Sequence, residues 1–520
     1  MPGYLYLGDD EPLPVMRQHL TPLDATFLEL EQVDDSAHMH IGAIMVFDPI
    51  PKLGIPTREQ IGELLTARLG QLPRYRQRLS TPHTGGLSWP AWTDVPDFDV
   101  AEHLDRAALP SPGGHQELVE WSSLFFSERL DRRRPLWEMV IVEGLAGGRW
   151  ALASKTHHCM VDGVGSVDVG HLLLDTSPSA PAAENAAGGG ATGTGGTGTG
   201  ATGRGGVRRQ ARGDQGPTLS ALSRVWDGLS PLEPVAHLAQ SGVHSVLHPR
   251  ETLSRAGAAA RLIVEDELHA APHTSLNEPI GALRRFEVIS VPLQDARAIK
   301  DALGGTINDV ALTISASGLR ALLLSRGETP PADGLRAMVP VNVRLAAERL
   351  ALGNKVSSLF MELPVAESRT LERYFETVAR SAALKSDGRQ AEGTDAVLGL
   401  AGLTPPVIHS TLAQALYATR LFNVTITNVP GPQQTLYALG APMREVHPLV
   451  PLAAEHAVGV AIVSYDGNLF FGVVADRDTV PDLEVMLTGM RDATAELLQT
   501  ARPASKRRSG KSHTAARSAR

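Results

Sequence analysis

The stretch that decides the reading is ALASKTHHCMVDGVGSVDVG, residues 151–170. With Trp150 ahead of it, its first half reads as a strand that delivers His157 and His158 into a loop. Asp162 and Gly163 then turn the chain, and a helix-like run follows. Gly163 permits a backbone turn that a side chain would obstruct. The spacing from His158 to Asp162 has a physical use: an imidazole that accepts a proton must be held in one tautomer and orientation, and a nearby acid can brace the loop that holds it. The residues alone leave other readings open. Asp162 serves equally well as the cap of the helix after it. His157, His158 and Cys159 are metal-ligand types, although neighbours in an extended strand point to opposite faces, which spoils a compact site.

Working outward, residues 136–142 and 150–156 are both strand-like and are joined by a turn at Gly147 and Gly148, so they read as a hairpin. Ahead of it, residues 117–130 repeat Leu118, Trp121, Leu124 and Phe125 at helical spacing. Further back, Thr57 with Gln60 three residues on forms a capping box for a helix carrying Ile61, Leu64 and Leu65. In the second half, strands are expected at 286–293, 335–343, 422–427, 458–464 and 469–474, with a hairpin turn at Asp466 and Gly467. One helix is expected over 294–303. Another begins near Asn308, with Ala311, Leu312, Ile314, Ser315, Leu319 and Leu322 along it. This mixed order predicts an α/β fold with mixed sheets rather than a barrel of regular βα units.

A chain of 520 residues is too long for one ordinary core, and two domains are the natural expectation. Apolar residues at 42% and charged residues at 20% describe a folded protein rather than a disordered one. Residues 178–216 break that pattern. They are rich in glycine, alanine and threonine without apolar periodicity, and cannot bury enough surface to offset backbone entropy. The expected organisation is an N-terminal domain over 1–177, a disordered linker over 178–216, a helical connection and C-terminal domain over 217–500, and a basic disordered tail over 501–520.

The one cysteine, Cys159, allows no disulfide within the chain, so nothing asks for an oxidising compartment. The opening MPGYLYLGDDEPLP lacks a basic region followed by an apolar stretch, so no secretory signal is expected. No uninterrupted apolar run reaches the roughly 18 residues that span a bilayer, so any membrane contact is expected to be peripheral. Residues 501–520 hold seven Lys and Arg and no acid, while the whole chain has a formal net charge of −9. Such a tail is either a solvated end or a segment that touches anionic lipid. Beside an acidic body it is poor evidence for nucleic-acid binding.

The run His157-His158-Cys159-Met160-Val161-Asp162-Gly163 resembles the HHxxxDG motif of the bacterial wax ester synthase/diacylglycerol acyltransferase family. Other segments resemble the same family in the expected order: LTPLDATFLELE (20–31), MHIGAIMVF (39–47), Pro135-Leu136-Trp137, SLNEPIGALRRF (275–286), Asn308-Asp309, PVNVR (340–344), LGNKVS (352–357) and NVPGP (428–432). The similarity covers roughly residues 20–495. Glu278 departs from the glycine expected after the Leu-Asn pair, and the glycine-rich insert is longer than expected.

The resemblance implies two chloramphenicol acetyltransferase-like domains with a tunnel between them, and an O-acyltransferase working in the cytoplasm at the inner membrane face or on lipid droplets. Acyl-CoA is the implied donor, and diacylglycerol or a long-chain alcohol the acceptor; acyl-CoA being a substrate, no cofactor or metal is implied. His158 is the implied general base, with His157 shaping the site or holding His158. Asp162 braces the loop. Asn308, with Asp309 and Gly163 beside the substrate, is assigned to oxyanion stabilisation, although Asn308 also suits a helix N-cap. Pro135, Leu136 and Trp137 are assigned to the tunnel wall. A condensation-type enzyme using carrier-protein thioesters shares the histidine motif, and a non-catalytic lipid-binding protein would share the fold.

Overall fold

Alternation of side chains along three strands sets the architecture. In β1 (His40–Phe47), β5 (Trp137–Glu143) and β6 (Trp150–His157), Ile44, Val46, Val140, Val142, Ala151 and Ala153 enter one core. Met45, Phe47, Met139, Ile141, Trp150 and Leu152 enter another. Side chains of a strand face opposite ways in turn, so a sheet with apolar residues on both faces is covered on both. The computed structural model describes residues 19–80, 90–161, 170, 172–178, 271–342, 356–387 and 421–515. Asp162, Gly163, nearly all of the 178–216 linker and the connection up to residue 270 lie outside these.

The remaining strands are β2 (Gln77–Leu79), β3 (Trp92–Asp94), β4 (Leu104–Ala108), β7 (Arg284–Pro292), β8 (Leu335–Asn342), β9 (Val356–Leu363), β10 (Val424–Pro430), β11 (Tyr437–Ala438), β12 (Ala441–Leu449), β13 (Val458–Tyr465) and β14 (Asn468–Asp476). The helices are α1 (Pro22–Val33), α2 (Arg58–Leu69), α3 (His115–Ser127), α4 (Leu293–Leu303), α5 (Ile307–Ser325), α6 (Thr370–Asp387) and α7 (Leu483–Ala515). Among the described residues, one six-stranded sheet runs β11-β12-β1-β6-β5-β4 and another β7-β14-β13-β10-β8-β9. Both are mixed: β4 and β5 are parallel, β10 is parallel to both β13 and β8, and the other pairings within these two sheets are antiparallel.

The expected hairpins are present. β5 pairs with β6 from Trp137↔Thr156 onward, and β13 pairs with β14 across Asp466 and Gly467. Both turn residues have positive φ, 41° and 81°, which suits a tight turn whose twist matches the strands. Thr57 and Gln60 form the capping box of α2.

Three expectations need correction. The boundary drawn at residue 177 does not separate the sheets, because β11 and β12, encoded in the second half, complete the first sheet beside β1. The hydrophobic pattern marks β12 as a strand face but not which strand it pairs with. Asn308 is not an N-cap: Thr306 caps α5, accepting from the amide of Asp309, so Asn308 falls within the first turn. The basic tail is not irregular throughout, since the backbone of α7 continues to Ala515. In addition, α5 is long and apolar enough by composition to cross a membrane, but it is mostly buried within the protein. It lies close against α7 through two glycines, Gly318 facing the Met486 carbonyl and Gly489 facing Ala321.

The two sheets are joined closely. Helix α3 covers the edge strand β7, and the Ser123 and Ser127 hydroxyls accept from the amides of Phe286 (2.9 Å) and Arg284 (2.7 Å). Edge-strand donors are thereby satisfied. Where β12 meets β14, a Cβ on Gly472 would lie 1.7 Å from the Pro448 carbonyl oxygen, so only glycine allows this approach.

Candidate active site

Strand β6 ends at His157, and His158 begins the turn after it. Pairing fixes both backbones. His157 donates its amide to Leu136 O (2.9 Å) on the β5 side, and His158 donates its amide to Met39 O (2.8 Å) on the β1 side. The side chains then diverge. His157 is fully buried, whereas His158 is half-buried with its ring stacked on Phe27 at 4.1 Å between centroids and 18° between planes.

His157 is locked. The Cys159 amide can only donate, so Nδ1 of His157 accepts from it at 3.1 Å. That puts the proton on Nε2, which donates to Glu31 Oε2 at 3.2 Å. Burial pushes this imidazole below its ordinary range, and Glu31 only partly opposes the shift, so the ring is neutral. Burial also works against the charge of Glu31, but the hydrogen bond from His157 and the nearby His40 ring outweigh it and hold the carboxyl well below the usual carboxylate range. Arg132 completes the grip on Glu31 Oε2, from NH2 at 2.5 Å and Nε at 3.1 Å. His40, which pairs with His157 across β1 and β6, sits 3.4 Å from the other carboxylate oxygen.

Phe27 and Glu31 are four residues apart on α1 and so share one helical face. One helix thus supports both histidines. Thr21 caps it, its side chain accepting from the Asp24 amide. Neither Phe27 nor Glu31 is distinguishable as a site residue in sequence, although both fall within the 20–31 segment. The contact from Glu31 to His157 spans 126 residues and has no local signature.

Cys159 is buried, and burial pushes its thiol well above the ordinary value, so it supplies no thiolate at neutral pH. Among the described residues no three His, Cys, Asp or Glu side chains are arranged to hold a metal ion.

Pro135, Leu136 and Trp137 are buried residues beside the strand end, and Leu136 and Trp137 belong to the core of the first sheet. Trp137 stacks on His103 at 4.6 Å and donates Nε1–H to Tyr75 O at 2.8 Å. Their service to the site is the Leu136 carbonyl that holds His157. The structure brings Asn308 and Asn428 together, Asn428 Nδ2 donating to Asn308 Oδ1 at 3.0 Å. Asp309 is buried and serves its helix: Oδ2 accepts from the Thr306 amide and hydroxyl, both at 2.8 Å. Asp162 and Gly163 are outside the described residues, so their assigned roles have no geometry here.

Two mixed sheets in contact, with a partly exposed histidine at a strand end and its neighbour held by a buried carboxylate, fit a fold of the chloramphenicol acetyltransferase type. Residues 20–311 match the wax ester synthase/diacylglycerol acyltransferase catalytic domain, and residues 352–498 match the C-terminal domain of the same proteins. A probable diacylglycerol O-acyltransferase of Mycobacterium tuberculosis is 33% identical over 483 residues, 92% of this chain and 96% of that protein. The wax ester synthase/diacylglycerol acyltransferase from Marinobacter aquaeolei VT8 has a similar structure, with a TM-score of 0.63, 26% identity, and coverage of 93% of this chain and all of that one. The starter condensation domain of rhizomide synthetase shares the fold at 14% identity, with a TM-score of 0.55 and coverage of 93% and 94%. The chain belongs to the wax ester synthase/diacylglycerol acyltransferase family and is an acyltransferase.

Proposed function

We propose that this chain transfers a fatty acyl group from coenzyme A to the hydroxyl of diacylglycerol, with long-chain alcohols as further acceptors. The observation that carries this is the placement of the two histidines at one strand end: His157 is buried and held between Glu31 and the Cys159 amide, and the partly exposed ring of His158 stacks on Phe27.

In this reading a ring nitrogen of His158 takes the acceptor O–H proton as the oxygen attacks the thioester carbonyl carbon. The tetrahedral intermediate collapses with cleavage of the C–S bond. His158 returns the proton to the departing thiolate, giving the ester and free CoA–SH. A base so placed contributes about 10²–10⁴-fold. Glu31 and His157 act as positioning residues that fix the strand end. With Asn308 Oδ1 occupied by Asn428, the Asn308 Nδ2 donors are left for the developing oxyanion. Acyl-CoA is a substrate, and the scheme calls on no cofactor. The apolar substrates support peripheral work at the cytoplasmic face of the membrane or on lipid droplets, aided by the basic residues beyond 501.

The test is release of free CoA from palmitoyl-CoA with dioleoylglycerol or hexadecanol. His158→Ala should lose turnover by about 10²-fold or more while still binding palmitoyl-CoA. Turnover unchanged in that variant would falsify the assignment.

A further inference from the structure

The chain leaves the first sheet at the end of β12 and returns to the second at the start of β13, through residues 450–457. That return runs beside the histidines. Val450, Pro451 and Leu452 line, with His38, His40 and Arg284, a cavity of about 10 Å³, room for roughly one water. The next residue, Ala453, packs together with Phe27 on the buried cluster of Leu30, Ala37 and Met39. Both Ala453 and Phe27 stay partly exposed. Phe27 is the ring under His158, and Met39 supplies the carbonyl that fixes the His158 amide. Ala453, contributed by the other half of the sequence, therefore packs with Phe27 on the same small cluster, whose Met39 carbonyl holds the His158 amide.

The backbone on both sides of Ala453 is tied down. The His456 ring lies 2.6 Å from Ala454 O through Nδ1 and 3.0 Å from Phe422 O through Nε2. It also packs on the Phe422 ring at 4.0 Å. Asn277 Nδ2 donates to Glu455 O at 3.3 Å, and the Ala457 amide donates to Leu276 O at 2.9 Å. A segment held this way cannot retreat to make room for a larger side chain. The adjoining cavity offers no relief either, since it is water-sized.

We propose that Ala453 sets the width of the place where a reactant's hydrocarbon chain lies beside His158, and so determines specificity for that chain. The inference rests on the proposed acyl transfer. A long-chain reactant whose reacting atom is at His158 must lay its first methylenes on apolar surface that is adjacent and still open. Phe27 and Ala453 provide such surface, and Ala453 is the smallest side chain that can do so. A larger side chain at 453 would occupy the volume of those methylenes.

Full-length wild type, Ala453→Leu and Ala453→Trp are compared by CoA release in two arms. One arm varies the donor from octanoyl- to palmitoyl-CoA with dioleoylglycerol fixed. The other varies the acceptor from butanol to hexadecanol with palmitoyl-CoA fixed. The expected result is a fall of about tenfold in the long-to-short ratio of kcat/KM in one arm, which also assigns the chain to donor or acceptor. Ratios within about twofold of wild type in both arms, with the melting temperature retained, overturn the proposal. A readout independent of turnover is alkylation of Ala453→Cys by N-ethylmaleimide, with Cys159 buried and slow to react. Palmitoyl-CoA or dioleoylglycerol should slow it severalfold and CoA alone should not; no protection by either lipid also overturns the proposal. Protection without any turnover in wild type would leave this site standing and remove the proposed reaction instead.

Discussion

Glu31 and His157 meet at 3.2 Å with neither side chain more than 2% exposed. The carboxylate is the hub of the site's support, shared by His157, His40 and Arg132. Removing one partner of a buried ionic group costs more than the group contributes when intact, because the remaining charge loses its compensation. Glu31→Gln should therefore lower unfolding free energy by about 3 kcal/mol and also reduce kcat. Urea unfolding and CoA release check the two effects. A variant as stable and as active as wild type would remove Glu31 from the site.

Acid should destabilise the fold through its histidines. Burial first, with the charge of Arg284 next, pushes His38 down to about 4 from an ordinary 6.5. Burial pushes His40 down to about 3 despite the Glu31 carboxylate 3.4 Å away. Below pH 6.5 the unfolded chain binds protons that these buried rings refuse. Their contribution is fully present above that pH and is lost as pH falls towards 4, by about 1.4 kcal/mol per unit for each ring. Urea unfolding at several pH values should show this slope, and His40→Gln should make it shallower. Equal slopes in the two proteins would show that His40 does not carry it.

The meeting of β12 and β14 leaves no space at Gly472. Gly472→Ala forces a Cβ onto the Pro448 carbonyl, so the strands must separate. A loss of about 3 kcal/mol or failure to fold is expected, in the range of overpacking and backbone strain. The measurement is the thermal midpoint of the soluble protein, and a midpoint unchanged by the methyl would contradict the packing.

Asn308 offers a separate test of charge stabilisation. Asn308→Ala should lower kcat by about 10²-fold with little change in KM or melting temperature. Asn428→Ala frees the Asn308 amide to rotate and should cost less. A kcat for Asn308→Ala within twofold of wild type would leave Asn308 a purely structural residue of α5.

Local patterns in the sequence anticipated local structure well. The hairpin at Asp466 and Gly467, the capping box at Thr57 and Gln60, and the strand end at the two histidines each depend on residues within a few positions of one another. What was not legible depends on distant partners. Nothing around residue 31 announces His157, and nothing around residue 445 announces that β12 pairs with β1. Asn308 was misplaced by two positions because Thr306 and Asn308 are both good capping residues, and only the backbone at Thr306 is extended.

The pairing of β12 with β1 bears on how the protein is made. Strand β1 leaves the ribosome early, and its partner on that side is among the last strands to emerge. At roughly 5–20 residues per second, that edge stands open on the nascent chain for on the order of tens of seconds. The histidine platform is therefore assembled near the end of synthesis, and a chain cut short before residue 441 would carry the whole histidine motif on an unfinished sheet. Unpaired edges of this kind invite association between chains, which makes complete translation a condition for solubility as well as for activity.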